Sequence, residues 1–204
     1  MAGVETERRY VLITHLHNDH FDPAAIQSVA KNSGFAVVAL DTKAAAVASK
    51  GFRTYPIRLY EPLTLGDFTM LAVPAVDGFN ETQVSWVVIC NGKRIIHCGD
   101  TLWHGGFWDL GSAYGPFDAA FLPINGARLK ARQPFSDVEA TMTPRHAVAA
   151  AVVMRAKLLV PIHYGFNDPE SYLEHPNAVS ELEETAKARQ QLYRLVKPGE
   201  TFEL

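Results

Sequence analysis

A chain of 204 residues with a hydrophobic content of 48% is long enough to bury a sizeable core and short enough to form one domain, 1–204. The formal charge of -3 and the lack of a Lys/Arg run exclude nucleic acid as a default partner, because phosphate binding needs a basic footprint. No apolar stretch approaches the roughly 18 residues of a membrane span. Residues 1–9 also lack the apolar centre of a secretion signal, so a cytoplasmic protein is expected.

The first element is an apolar strand over 10–15. It runs into Thr14-His15-Leu16-His17-Asn18-Asp19-His20, four potential metal ligands within six residues. Side chains alternate along an extended chain, so His15 and His17 leave the strand end toward the same side. Asp19 and His20 follow as the chain turns, and Asp22-Pro23 read as N-cap and first residue of a helix over 23–32 that Gly34 ends. A strand end entering a helix start can present two imidazoles to one point and a carboxylate with a third imidazole to the next. That is the layout of a two-metal site.

A second strand is expected over 35–40. Asp41-Thr42 then opens an Ala-rich helix ended by Gly51, and a short strand follows over 52–57, giving a βαβα rhythm. From residue 58, Glu61-Pro62, Gly66-Asp67 and Asn91-Gly92 punctuate apolar runs without a helix between them, which reads as an antiparallel meander. Asn91-Gly92 places Cys98 opposite Ser85 rather than Cys90, so both cysteines are expected as reduced thiols, with Cys98 a minor metal-ligand candidate. The meander ends at Gly99-Asp100-Thr101.

Residues 102–116, with Trp103, His104, Trp108 and Tyr114, read as an aromatic loop that either walls a substrate pocket or plugs the gap to the core. A buried strand over 117–124 leads to a polar loop carrying Asn125, Arg128, Lys130 and Arg132. Those bases could hold an anionic substrate group or stand in a solvated loop. Thr143-Pro144 starts a helix reaching about residue 156, and a strand over 158–162 delivers His163 and Tyr164. A helix over 177–190 and a short hairpin at Pro198-Gly199 close the chain. His97 is expected to support the site or pack, His104 to reach metals or substrate or lie exposed, and His146 and His175 to be surface residues.

Thr-His-x-His-x-Asp-His at 14–20, Gly-Asp-Thr at 99–101, Leu-Pro-Ile-Asn-Gly at 122–126 and Val-Pro-Ile-His-Tyr-Gly at 160–165 together resemble the metallo-β-lactamase superfamily over nearly the whole chain. Within it, the chain is similar to the branch of L-ascorbate-6-phosphate lactonase-like and N-acylphosphatidylethanolamine phospholipase D-like hydrolases. The resemblance implies an α/β fold, a four-layer αβ/βα sandwich with two mixed sheets face to face and helices outside. It assigns His15 and His17 to a first divalent ion, and Asp19, His20 and His163 to a second, with Asp100 bridging. Asp77 stands after Val73-Pro74-Ala75-Val76, where that branch carries a histidine, and is expected as a ligand of the first ion. Zinc is the expected metal, with manganese or iron as alternatives.

The function that follows is metal-dependent hydrolysis of a small ester, lactone, amide or phosphodiester, with Asp19 both a ligand and the catalytic residue that orients the nucleophile. Asn125, Arg128, Tyr164, Trp103 and His104 are candidates to touch substrate or support the ligands. The alternative is a metal-binding sensor or a partner-dependent subunit without hydrolase activity. Only about ten residues precede the His-rich strand, so the first sheet is expected to lack its leading strands. Self-association through that edge, or a chain start upstream of Met1, is expected in consequence.

Overall fold

The computed structural model describes residues 9–29, 35–166 and 168–204. A parallel three-stranded sheet is formed by β1 (Arg9–Leu12), β2 (Phe35–Leu40) and β3 (Thr54–Ile57), in that order. Its crossovers contain α1 (Pro23–Val29) and α2 (Asp41–Ala48). The expected helix over 23–32 is therefore described only to residue 29, and its Gly34 stop lies outside the described residues. Every pairing described in this sheet is parallel, not mixed as expected, because each strand is joined to the next by a helical crossover.

The second sheet has six strands. β4 (Leu63–Leu65), β5 (Phe68–Pro74), β6 (Val84–Cys90) and β7 (Lys93–His97) form the antiparallel meander, and β8 (Ala119–Pro123) and β10 (Leu159–Ile162) add to it in parallel. A separate ribbon pairs β9 (Arg128–Leu129) with β11 (Tyr172–Leu173). Three further helices complete the fold: α3 (Gly106–Tyr114), α4 (Pro144–Val153) and α5 (Ala178–Ala188).

Three apolar clusters define the layers. Ile13, Phe21, Ile26, Val37, Val47 and Phe52 pack α1 and α2 on the outer face of the first sheet. Val38, Leu40 and Ile57 meet Met70, Ala72, Val84 and Trp86 between the sheets. The largest cluster places Phe107, Leu110, Val148, Met154 and Leu182 of the remaining helices and their ends against Val87, Ile96, Leu122 and Leu159. The order is helix, sheet, sheet, helix. Alternation along β2 explains it: Val37 and Ala39 face the helices while Val38 and Leu40 face the other sheet.

Two expectations fail here. Residues 102–116 contain a helix, α3, rather than an aromatic loop, because Phe107, Leu110 and Gly111 recur at helical spacing and are buried. Gly111 is required: a Cβ there would lie 2.4 Å from the carbonyl oxygen of Val153, so α3 and the end of α4 touch backbone to backbone. The hairpin at Pro198-Gly199 is a turn without strands, and the nearby extended contact is a single parallel bridge between Tyr193 and Leu159. The start of α4 is as expected, since Thr143 and His146 form a reciprocal cap on either side of Pro144, and the helix ends at Val153 rather than about residue 156.

Candidate metal centre

Three strand ends deliver the site. After β1 the chain turns on itself, with the amides of His20 and Phe21 donating to the carbonyl of His17, and Asp22 then caps α1 by accepting from the amide of Ala24 at 2.8 Å. After β7, Gly99 takes a positive φ of 59° and passes close to Thr14, turning Asp100 toward the histidines. Thr101 secures that turn from behind: its Oγ1 accepts from the amide of Val76 and donates to the carbonyl of Leu102, both at 3.0 Å. After β10, His163 itself sits in the left-handed region, with φ 53°, a conformation that an imidazole adopts only when its surroundings hold it.

Asp19, His20, Asp100 and His163 converge, with one ligand atom from each lying within 4.8 Å of all the others. Nε2 of His20 lies 3.1 Å from Oδ1 of Asp100 and 3.5 Å from Oδ2 of Asp19. Nε2 of His163 lies 3.3 Å from Oδ2 of Asp100 and 3.4 Å from Oδ2 of Asp19. His15 is buried beside them, its Nε2 at 3.8 Å from Oδ2 of Asp100 and its Nδ1 at 3.1 Å from Oγ1 of Thr14. His17 stands edge-on to His15 with ring centroids 4.5 Å apart.

Charge in the group is balanced between imidazoles and carboxylates. Burial disfavours the charged form of His20 and His163, yet their bonds to Asp100 and Asp19 prevail and raise them to about 9 and about 10. Bonds from His163 and His20 hold Asp19 far below the ordinary carboxylate range. Asp100 is pushed up by burial but held low by the same two imidazoles. His15 goes the other way, lowered to about 4 by burial and by the neighbouring His20 charge.

The donor set suits a divalent cation. Among the described residues, Nε2 of His15 is a buried atom without a hydrogen-bond partner, and Oδ1 of Asp100, buried beside it, has only the Nε2 of His20 near it, at 3.1 Å. Orphaned buried donors and acceptors are costly unless something else satisfies them. Nitrogen and oxygen ligands at this density fit zinc, manganese or iron.

Behind the ligands lies a network that sequence reasoning found only in part. Asn125 is 1% exposed, with its Nδ2 2.7 Å from Nδ1 of His163 and its Oδ1 accepting from the hydroxyl of Thr141 at 2.5 Å. Thr141 in turn accepts from the amide of Ala127, which closes the network. Nothing in the sequence marks Thr141, which lies in a polar stretch away from any motif. Gln83 is a second residue missed: it is buried next to Gly99, its Oε1 has no partner among the described residues, and its Nε2 donates to Asp77.

Asp77 is not brought into the four-residue group. Its Oδ2 accepts from the amides of Phe79 and Glu81, each at 2.7 Å, and its Oδ1 accepts from Gln83 at 3.3 Å. The carboxylate thus ties its own loop, as aspartates in turns commonly do. His104 is absent from the group as well. It stacks on Phe107 at 4.1 Å, and its Nε2 is buried without a partner. Trp103 and Tyr164 pack against the large core cluster, and Trp108 is exposed with its ring edge-on to Trp103. Cys98 is fully buried in that cluster, its thiol pushed up to about 12 by burial, which leaves it inert rather than a ligand. His146 and His175 are half-buried, the first capping α4 and the second paired with Glu181, not free surface residues.

The basic stretch also divides. Lys130 donates to the carbonyl of Pro169, Arg128 lies in β9, and Arg132 remains on the loop with its guanidinium over Phe79. Tyr172, on β11 of the same ribbon, donates its hydroxyl to the carbonyl of Phe166.

Comparison with known proteins decides the family. The beta-lactamase superfamily domain matches residues 5–164. A UPF0173 metal-dependent hydrolase of Thermococcus kodakarensis is 30% identical over 98% of this chain and 84% of its own length. The chain belongs to the beta-lactamase superfamily, among its UPF0173 metal-dependent hydrolases. Igni18, a metallo hydrolase from Ignicoccus hospitalis, shares the superfamily fold with a TM-score of 0.75 at 24% identity, covering 96% of this chain and 80% of its own. CmlA, a diiron β-hydroxylase from Streptomyces venezuelae, is also similar in fold, with a TM-score of 0.71 at 14% identity over 95% of this chain and 44% of its own. Fold alone therefore leaves the reaction open, and the site must be argued from its residues.

Proposed function

We propose that this UPF0173 chain is a metal-dependent hydrolase of a small ester, lactone, amide or phosphodiester. The observation that carries the reading is the meeting of Asp19, His20, Asp100 and His163 beside the orphaned Nε2 of His15. Those four would hold one ion, and His15 and His17, sharing Asp100, would hold a second and weaker one, because Asp77 is engaged in its own loop. Divalent cations there supply Lewis acidity and lower the pKa of a water. Asp19 is the most exposed member, with 63% of its side chain accessible, so it meets substrate and solvent first. Exposed in this way, the Asp19 carboxylate would orient the attacking water, while Asp100, buried beneath, keeps the imidazoles in place.

Metal analysis of the chelated and reloaded protein, run alongside a panel of esters, lactones and bis-p-nitrophenyl phosphate, tests the reading. Turnover that appears on reloading supports it. Full metal content with no turnover of any class favours a sensor or a partner-dependent subunit.

A further inference from the structure

We propose that Arg132 receives an anionic group of the substrate, a carboxylate or a phosphate-like group, so that the molecule cleaved is acidic and is held at both ends; this rests on the hydrolase reading above. Asp77 shapes the loop that presents Phe79, whose ring stands edge-on to His17 with centroids 5.3 Å apart. The guanidinium of Arg132 lies over the same ring, 5.8 Å from the Phe79 centroid. One aromatic ring thus neighbours both a cationic fork and the histidine cluster.

Arg132 is exposed and makes no ion pair among the described residues, whereas Arg58, Arg194, Lys43 and Lys157 each face a carboxylate. The two carboxylates of the Phe79 loop are already committed, Asp77 to backbone amides and Glu81 to Lys43 at 2.7 Å. Its place over Phe79 is a cation–π contact that leaves the guanidinium N–H groups to bind elsewhere, and a planar fork of donors matches a carboxylate or a phosphoryl group. Arg128 on the adjoining ribbon adds a second guanidinium without an ion pair among the described residues. A neutral substrate would leave both unused.

The test compares three esters on the metal-loaded full chain: p-nitrophenyl hydrogen glutarate, its phosphonate counterpart p-nitrophenyl 4-phosphonobutyrate, and neutral p-nitrophenyl valerate. The readout is kcat/KM for each charged ester divided by that for valerate, in wild type, Arg132→Gln, Arg132→Lys and, as a charge control, Arg58→Gln. The expected result is a wild-type preference for a charged ester that falls about tenfold or more in Arg132→Gln, mainly through KM, falls less in Arg132→Lys, and persists in Arg58→Gln. Which of the two charged esters shows the preference identifies the anion. Calorimetric titration with glutarate, against butyrate, runs in parallel and needs no turnover. Tighter glutarate binding in wild type than in Arg132→Gln with no ester cleaved would overturn ester hydrolysis and keep the anion site. Turnover or glutarate binding with no difference between wild type and Arg132→Gln would overturn the role of Arg132 and leave the hydrolase intact.

Discussion

Asn125 holds His163 from behind, amide to imidazole at 2.7 Å, and both are steered by the hydroxyl of Thr141. A ligand imidazole fixed through its second nitrogen loses less freedom when it binds a metal. Asn125→Ala is expected to weaken metal affinity by about 10- to 100-fold, measured by competition with a chromophoric chelator. His163→Ala should empty the four-residue position; full metal retention in that variant would remove His163 from the ligand set.

Asp77 gives the opposite expectation. With three hydrogen bonds to its own loop, Asp77→Ala should lower stability by about 1–3 kcal/mol and leave the metal held by Asp19, His20, Asp100 and His163 in place. Denaturant unfolding and metal analysis on the same preparation check both halves. Loss of the tightly held ion without loss of stability would return Asp77 to the ligands.

The meeting of Asp19, His20, Asp100 and His163 was legible in the sequence because apolar runs followed at once by His, Asp or Gly-Asp leave little freedom of placement. The layers were legible for the same reason, since Val37 to Leu40 alternate between two apolar environments. The hydrogen bonds of Asp77 to two backbone amides and to Gln83 were not legible, because no residue pattern announces such partners. α3 was hidden by Gly105, Gly106, Gly111 and Gly115, residues that read as loop although Gly111 is there for close packing on Val153. Thr141 was invisible because it acts only through Asn125, 16 positions away in the chain, and Gln83 because no pattern pairs a glutamine with Asp77 inside one loop.

Gly111→Ala follows from that packing. A methyl group placed 2.4 Å from a backbone oxygen cannot be absorbed by a side-chain rotation, so α3 must shift from α4. The cost should be about 1–3 kcal/mol or more, read as a lower unfolding midpoint. A midpoint equal to wild type would mean that the two helices do not approach this closely.

His97, at the end of β7 three positions before Asp100, supplies a pH test. Burial, helped by the charge on His20, lowers it from 6.5 to about 4, so it stays neutral in the folded chain while the unfolded chain takes up a proton below 6.5. Its contribution is therefore complete above about pH 6.5 and lost as pH falls toward 4. In chelated protein, His97→Phe should flatten the decline of stability across that window by close to one proton, leaving the share due to His15. Parallel stability curves for the two proteins over the window would refute the buried neutral state.

His20 follows the first sheet, whereas Asp100 and His163 follow two strands of the second, and the two halves otherwise meet mainly through apolar packing around Val38, Ile57 and Trp86, with the Val84 amide donating to the Thr14 carbonyl and Lys43 paired with Glu81. An ion in the group is thus a non-covalent staple across the sandwich. It can close only after the two halves have docked, so binding draws on the folding equilibrium itself. Chelation should consequently loosen the three-stranded half first, and amide exchange along 36–40 should quicken before exchange along 84–90 does.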